Sequence, residues 1–78
     1  MNVDDMIQHV TRMGYDVIFK YESLTYNNET KQYVYCEIDN KNLRLAYPDI
    51  KIYKGKGLGA TAEFALLDAL LRKEVVDE

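Results

Sequence analysis

At 78 residues, 47% hydrophobic and 29% charged, the chain is sized for one globular domain spanning 1–78 and is too short for two. A net charge of −3 argues against a main task of neutralising phosphates, which depends on clustered Lys and Arg, although a local basic patch stays compatible with it. The single cysteine excludes an internal disulfide and every multi-cysteine zinc pattern. With no secretion signal after Met1 and no apolar run near the ~20 residues that span a bilayer, the expectation is a cytoplasmic protein without membrane contact.

Asn2 is a good N-cap for a first helix whose apolar positions Val3, Met6, Ile7, Val10 and Met13 follow a helical rhythm. Asp4 and Asp5 suit the positive end of its dipole, and Gly14 is placed for a stop. From Asp16 the period becomes two. Val17, Phe19 and Tyr21 alternate with Ile18, Lys20 and Glu22, as in a strand with one buried face that ends near residues 24–26. Asn27, Asn28 and Glu29 form a turn, and residues 31–39 alternate again, with Val34, Cys36 and Ile38 expected to face the helices.

Residues 39–42, Asp-Asn-Lys-Asn, read as a tight hairpin connection into a third strand carrying Leu43, Leu45 and Tyr47, with Pro48 marking an edge or a bulge. Ile50 and Ile52 resume the alternation. Residues 54–59 read as a flexible Gly and Lys turn leading into a last helix over roughly 60–74. In that helix Ala62, Phe64, Leu66, Leu67, Ala69, Leu70 and Leu71 cover well over half the circumference, leaving Thr61, Asp68 and Arg72 as a polar stripe. Such a broad arc implies deep packing or a partner. Asp77 and Glu78 read as a frayed tail. The expected fold is α+β: an αβββα two-layer sandwich, a three-stranded antiparallel sheet with two helices packed on one face. The open sheet face would display Ile18, Lys20, Glu22, Tyr33, Tyr35, Glu37 and Arg44.

This order of elements, with residues 54–71 (KGKGLGATAEFALLDALL), resembles the double-stranded-RNA-binding domain. The resemblance implies packing roles for Ala62 and Ala65. The family's RNA-binding lysines would fall at Gly59, Ala60 and Glu63, where two residues are neutral and one is acidic. The opening MNVDDMI, in a short acidic chain of this element order, also resembles small phage proteins that inhibit host nucleases, among them anti-CRISPR inhibitors.

His9 with Asp5 at i−4 reads as a solvated helical pair, and Cys36 as an inert inward thiol. Asn28-Glu29-Thr30 matches a glycosylation sequon and reads as a surface turn. Two cations in the Gly-rich stretch before a helix N-terminus would suit an anion, so Lys51, Lys54 and Lys56 are the candidate nucleic-acid or phosphate contacts. Seven tyrosines without a tryptophan point instead to protein contact, because Tyr offers a large amphipathic area at low entropic cost. Tyr33, Tyr35 and Tyr53, with Lys20 and Arg44, are the candidate protein-binding residues.

The expected function is a small non-enzymatic interaction module, in the reading suggested by the phage resemblance an inhibitor of a host protein, which binds a protein partner or self-associates. The alternative is a divergent double-stranded nucleic-acid-binding domain. An enzyme ranks third, since one His, one Cys and no recognised motif would leave carboxylates and tyrosines to build a site. No catalytic residue, cofactor or metal is expected.

Overall fold

The first helix, α1 (Val3–Arg12), starts where Asn2 Oδ1 accepts the Asp5 N–H at 2.9 Å and carries Asp4 and Asp5 in its first turn. It stops at Gly14, whose φ of +95° turns the chain so that the Tyr15 N–H donates back to Val10 O at 3.2 Å, beside the Gly14 N–H donating to Thr11 O at 2.9 Å. The computed structural model describes residues 2–76, so the expected fraying of Asp77 and Glu78 lies outside the described residues. After α1 come β1 (Asp16–Tyr26), β2 (Glu29–Asp39), a 3-10 helix (Lys41–Leu45), β3 (Tyr53–Gly59), α2 (Ala62–Leu71) and β4 (Glu74–Val75). The strands form one antiparallel sheet in the order β1-β2-β3-β4.

The α+β class with two helices and an antiparallel sheet therefore holds, while the sheet has four strands where three were expected. The expected third strand is absent. Residues 43–45 lie in the 3-10 helix, where Leu43 N–H donates to Asn40 O and Ala46 N–H to Leu43 O. Three alternating apolar residues carry too short a pattern to separate a strand from a tight turn, and Leu45 and Tyr47 in fact stand 89% and 63% exposed. Leu43 turns its methyl groups onto the glycine stop at position 14.

Residues 54–59, expected as a flexible turn, form most of β3, in register with β2 from Val34↔Gly59 to Asp39↔Lys54. Their composition disguised a period of two. Gly55, Gly57 and Gly59 face the helices, and Lys54, Lys56 and Leu58 face the other way. A Cβ at Gly55 or Gly57 would collide with the backbone of Ala69, and one at Gly59 would lie 2.6 Å from the Ala65 nitrogen. Glycines on the strand and alanines on the helix thus let α2 lie against β3 almost backbone to backbone. The last helix is shorter than expected, capped by Thr61, whose Oγ1 accepts the Phe64 N–H at 3.3 Å. Past it, Glu74 and Val75 form β4 along the start of β3.

Both helices contribute to one core. Met6 and Val10 of α1 meet Ala65, Leu66 and Ala69 of α2 over Val34, Cys36 and Ile38 of β2, with Val17 and Phe19 of β1 packed at the margin. Ile38, Leu66 and Cys36 are fully buried, as expected for the two strand residues. Burial, aided by the neighbouring Glu37 charge, pushes the Cys36 thiol pKa up to about 11. The native thiol should resist iodoacetamide at pH 8 and react rapidly once urea unfolds the chain. Because the folded pKa lies above the unfolded one, the same burial stabilises the fold below about pH 9 and loses that contribution as pH rises through 11.

The Asn40 side chain ties the loop from β2 to β3 to the start of β3. Asn40 is 3% exposed, its Nδ2 donates to Lys51 O at 3.1 Å, and its Oδ1 accepts the Tyr53 N–H at 2.7 Å. It therefore fixes where β3 begins.

Candidate interaction surface

The sheet register decides which residues share the face away from the helices. Lys20 lies opposite Tyr35, Glu22 opposite Tyr33, Tyr35 opposite Leu58 and Glu37 opposite Lys56. Ile18, Lys20 and Glu22 thus stand on the open face as expected, together with Tyr33, Tyr35 and Glu37. Tyr33 Oη donates to Glu22 Oε2 at 2.7 Å, and this bond to a carboxylate holds the phenol pKa above its ordinary value. Lys20 Nζ sits 6.0 Å from the centre of the Tyr35 ring.

Two of the candidate protein-binding residues do not join them. Tyr53 lies in β3 on the helix side, half-buried against the core, with Lys73 Nζ 5.8 Å from its ring centre. Arg44 lies in the 3-10 helix and not in a strand, and its Nε and Nη2 both donate to Ile50 O at 3.3 Å. Arg44 left the sheet when the expected third strand gave way to a 3-10 helix, and Tyr53 shares the helix side of β3 with Gly55, Gly57 and Gly59. In its place, β3 brings Leu58 to the open face.

The candidate cations are dispersed likewise. Lys54 and Lys56 project from β3 on the face opposite α2, so they do not flank the N-terminus of that helix, as the loop reading required. Across the ladder, Lys54 lies opposite Asp39 and Lys56 opposite Glu37. Lys51 is exposed in the preceding loop. Among the described residues, no three of His, Cys, Asp and Glu are grouped to hold a metal ion, and no hydrogen bond joins Asp5 to His9.

A broad exposed apolar feature lies where the open face meets α2. One cleft of about 510 Å³ is lined by Glu22, Leu24, Tyr33, Tyr35, Leu58 and Gly59. A second, of about 760 Å³, runs past the edge of β3 between Tyr35 and Leu58 on one side and Phe64, Leu67 and Leu71 on the other. Tyr35 and Leu58 line both, so the two clefts form one surface. Phe64, Leu67 and Leu71 are exposed because α2 is apolar around most of its circumference and buries only the arc of Ala65, Leu66 and Ala69, with Ala62 and Leu70 partly buried beside it. Asp68 ties this edge together: Oδ1 accepts from Arg72 Nε at 2.8 Å and Oδ2 from the Leu58 N–H at 2.9 Å. Arg72 first, then the Leu58 amide, hold the Asp68 carboxyl below its ordinary pKa. Leu58 and Leu24 were the residues missed from sequence. The alternation of residues 54–59 was the signal for Leu58.

No family model, no curated protein and no solved structure matches the chain. No helix among the described residues is long and apolar enough to cross a membrane.

Proposed function

We propose that the protein is a non-enzymatic interaction module that binds a protein partner along the surface from Tyr33 and Tyr35, over Leu58, to Phe64, Leu67 and Leu71. The observation that carries this reading is the continuity of the two clefts through Tyr35 and Leu58, which joins exposed aliphatic and aromatic side chains into one apolar patch with a polar rim. Lys56, Asp68 and Arg72 supply that rim beside the helix, and Glu22 supplies it beside β1. Contact surfaces combine such an apolar centre with a charged margin. The surface has tyrosines that are already half-buried, so little side-chain freedom is lost when a partner covers them.

Phe64→Ser with Leu71→Ser tests the reading, because both side chains are exposed and leave the core intact. Affinity enrichment from extract of the native host should recover a partner with the wild type, and the double variant should retain about a tenth of it or less, as expected when central apolar contacts are lost. Equal recovery by folded wild-type and variant proteins would refute this surface. The nucleic-acid alternative makes a different demand: duplex RNA should be shifted at low salt, and Lys54→Glu with Lys56→Glu should remove the shift. Absence of any shift is the expected result.

A further inference from the structure

β1 is the terminal strand of the sheet, and along its whole length it is paired only with β2. The ladder is continuous for eleven residues, from Asp16↔Asp39 to Tyr26↔Glu29, and contains neither proline nor a break in register. Its distal half leaves the body: residues 21–32 are all exposed, with Tyr21 at 75%, Leu24 at 62% and Tyr26 at 74%. Edge strands are ordinarily blunted by proline, bulges, shortness or a covering element. Charges are the exception on this strand, Asp16 at its start and Lys20 and Glu22 midway, and the placement of Lys20 and Glu22 allows one particular partner.

The two-residue turn Asn27-Asn28, with φ of 52° and 63°, makes Tyr26 and Glu29 a hydrogen-bonded pair. Such pairs alternate along an antiparallel ladder, so the odd residues Val17, Phe19, Tyr21, Ser23 and Thr25 turn their N–H and C=O groups to the free edge. A second strand can dock only in registers that match this set. If β1 of another copy docks antiparallel with Lys20 at the two-fold axis, Lys20 faces its own mate. With Glu22 at the axis, Glu22 faces its own mate. With Tyr21 at the axis, each Lys20 faces a Glu22, each Ile18 faces a Leu24, and the two Tyr21 rings meet.

We propose that the protein self-associates into a two-fold dimer through β1 in this Tyr21-centred register, joining two four-stranded sheets into one. The two Lys20–Glu22 contacts are generated by symmetry from a single sequence feature, and neighbouring registers replace them with like-charge pairs that are unfavourable when directly opposite. The geometry leaves room for the helices. In this register Val17 lies eight residues along the strand from its mate, about 27 Å at ~3.3 Å per residue, so the two α1 helices stay on separate ends of the joined sheet. This proposal does not depend on the apolar surface of α2, which lies toward the other edge of the sheet.

Analytical ultracentrifugation of the full chain over a concentration series should show a monomer–dimer equilibrium. Lys20→Glu and Glu22→Lys should each weaken it about tenfold or more, since each replaces two attractions with two repulsions, whereas the two changes together should restore it. Ser23→Pro removes an edge N–H without touching the β1–β2 ladder and should abolish the dimer. The register has its own readout: under mild oxidation Tyr21→Cys should crosslink to its mate, and Ser23→Cys, about 13 Å from its mate at ~3.3 Å per residue, should not. A protein that stays monomeric at the highest soluble concentration overturns the proposal. So does a dimer indifferent to Lys20→Glu, Glu22→Lys and Ser23→Pro alike, or one that crosslinks at position 23 instead. Phe64→Ser with Leu71→Ser should leave the dimer unchanged, which separates failure here from failure of the partner-binding surface.

Discussion

Gly57→Val should lose about 3 kcal/mol or more of folding stability, the upper range for overpacking at a site where backbone cannot give way. Gly57 lies between the main chain of Ala65 and the main chain of Ala69, and any Cβ there would collide with both. Side chains could rotate away from such a clash; a helix can only lift off the strand. Lifting α2 would uncover Leu66 and Cys36, both now fully buried. Since a chain of this length is stable by only roughly 4–12 kcal/mol, the midpoint of a thermal melt followed by circular dichroism should fall by well over 10 °C, using the small-domain conversion of about 4–8 °C per kcal/mol. Lys56→Val is the control. It lies next in the chain, on the exposed face, and should change stability by no more than about 0.5 kcal/mol. Equal melting of the two variants would mean that α2 does not rest on the glycine face of β3.

Asn40→Leu should cost about 3 kcal/mol, although leucine is close to asparagine in size and better suited to a buried site. The loss comes from what the side chain leaves behind. Without its amide, the Lys51 carbonyl and the Tyr53 N–H lose their partners, at about 1–3 kcal/mol for each group that stays buried. Urea unfolding should report the cost, and hydrogen exchange should localise it as faster exchange at the Tyr53 amide. A loss below about 1 kcal/mol would show that water replaces both bonds. Asn40→Asp should fall in between, because its oxygen can still accept the Tyr53 N–H while the donor to Lys51 is gone.

These two positions mark where the sequence was hard to read. Asn40 looked like a turn residue in the run Asp-Asn-Lys-Asn, and it does end a strand, but its amide bonds to groups eleven and thirteen residues away. No local rule signals that reach. Gly57 hides its role for a related reason. Alternate glycines weaken the intrinsic preference for a strand, and without side chains the buried face of residues 55–59 carries no hydrophobic mark. The apolar alternation at Leu43, Leu45 and Tyr47 carries a clearer period of two than the true strand does, and it places Arg44 on an open face that the residue does not occupy.

The local elements with a strong signal were legible from the chain itself. Asn2, the two aspartates and Gly14 delimit α1; a clean period of two delimits β1 and most of β2; and the identity of Val34, Cys36 and Ile38 as core residues follows from it. So did the surplus of apolar surface on α2. Tertiary structure decided the rest: which arc of that helix is buried, which residues stand beside Tyr35, and that β1 is left with an open edge. The reason is physical. A helix apolar all round has no preferred face until something narrow enough to receive it is supplied, and here that is a strip of glycines on a neighbouring strand. Their contact turns Ala65 and Ala69 inward and leaves Phe64, Leu67 and Leu71 facing solvent.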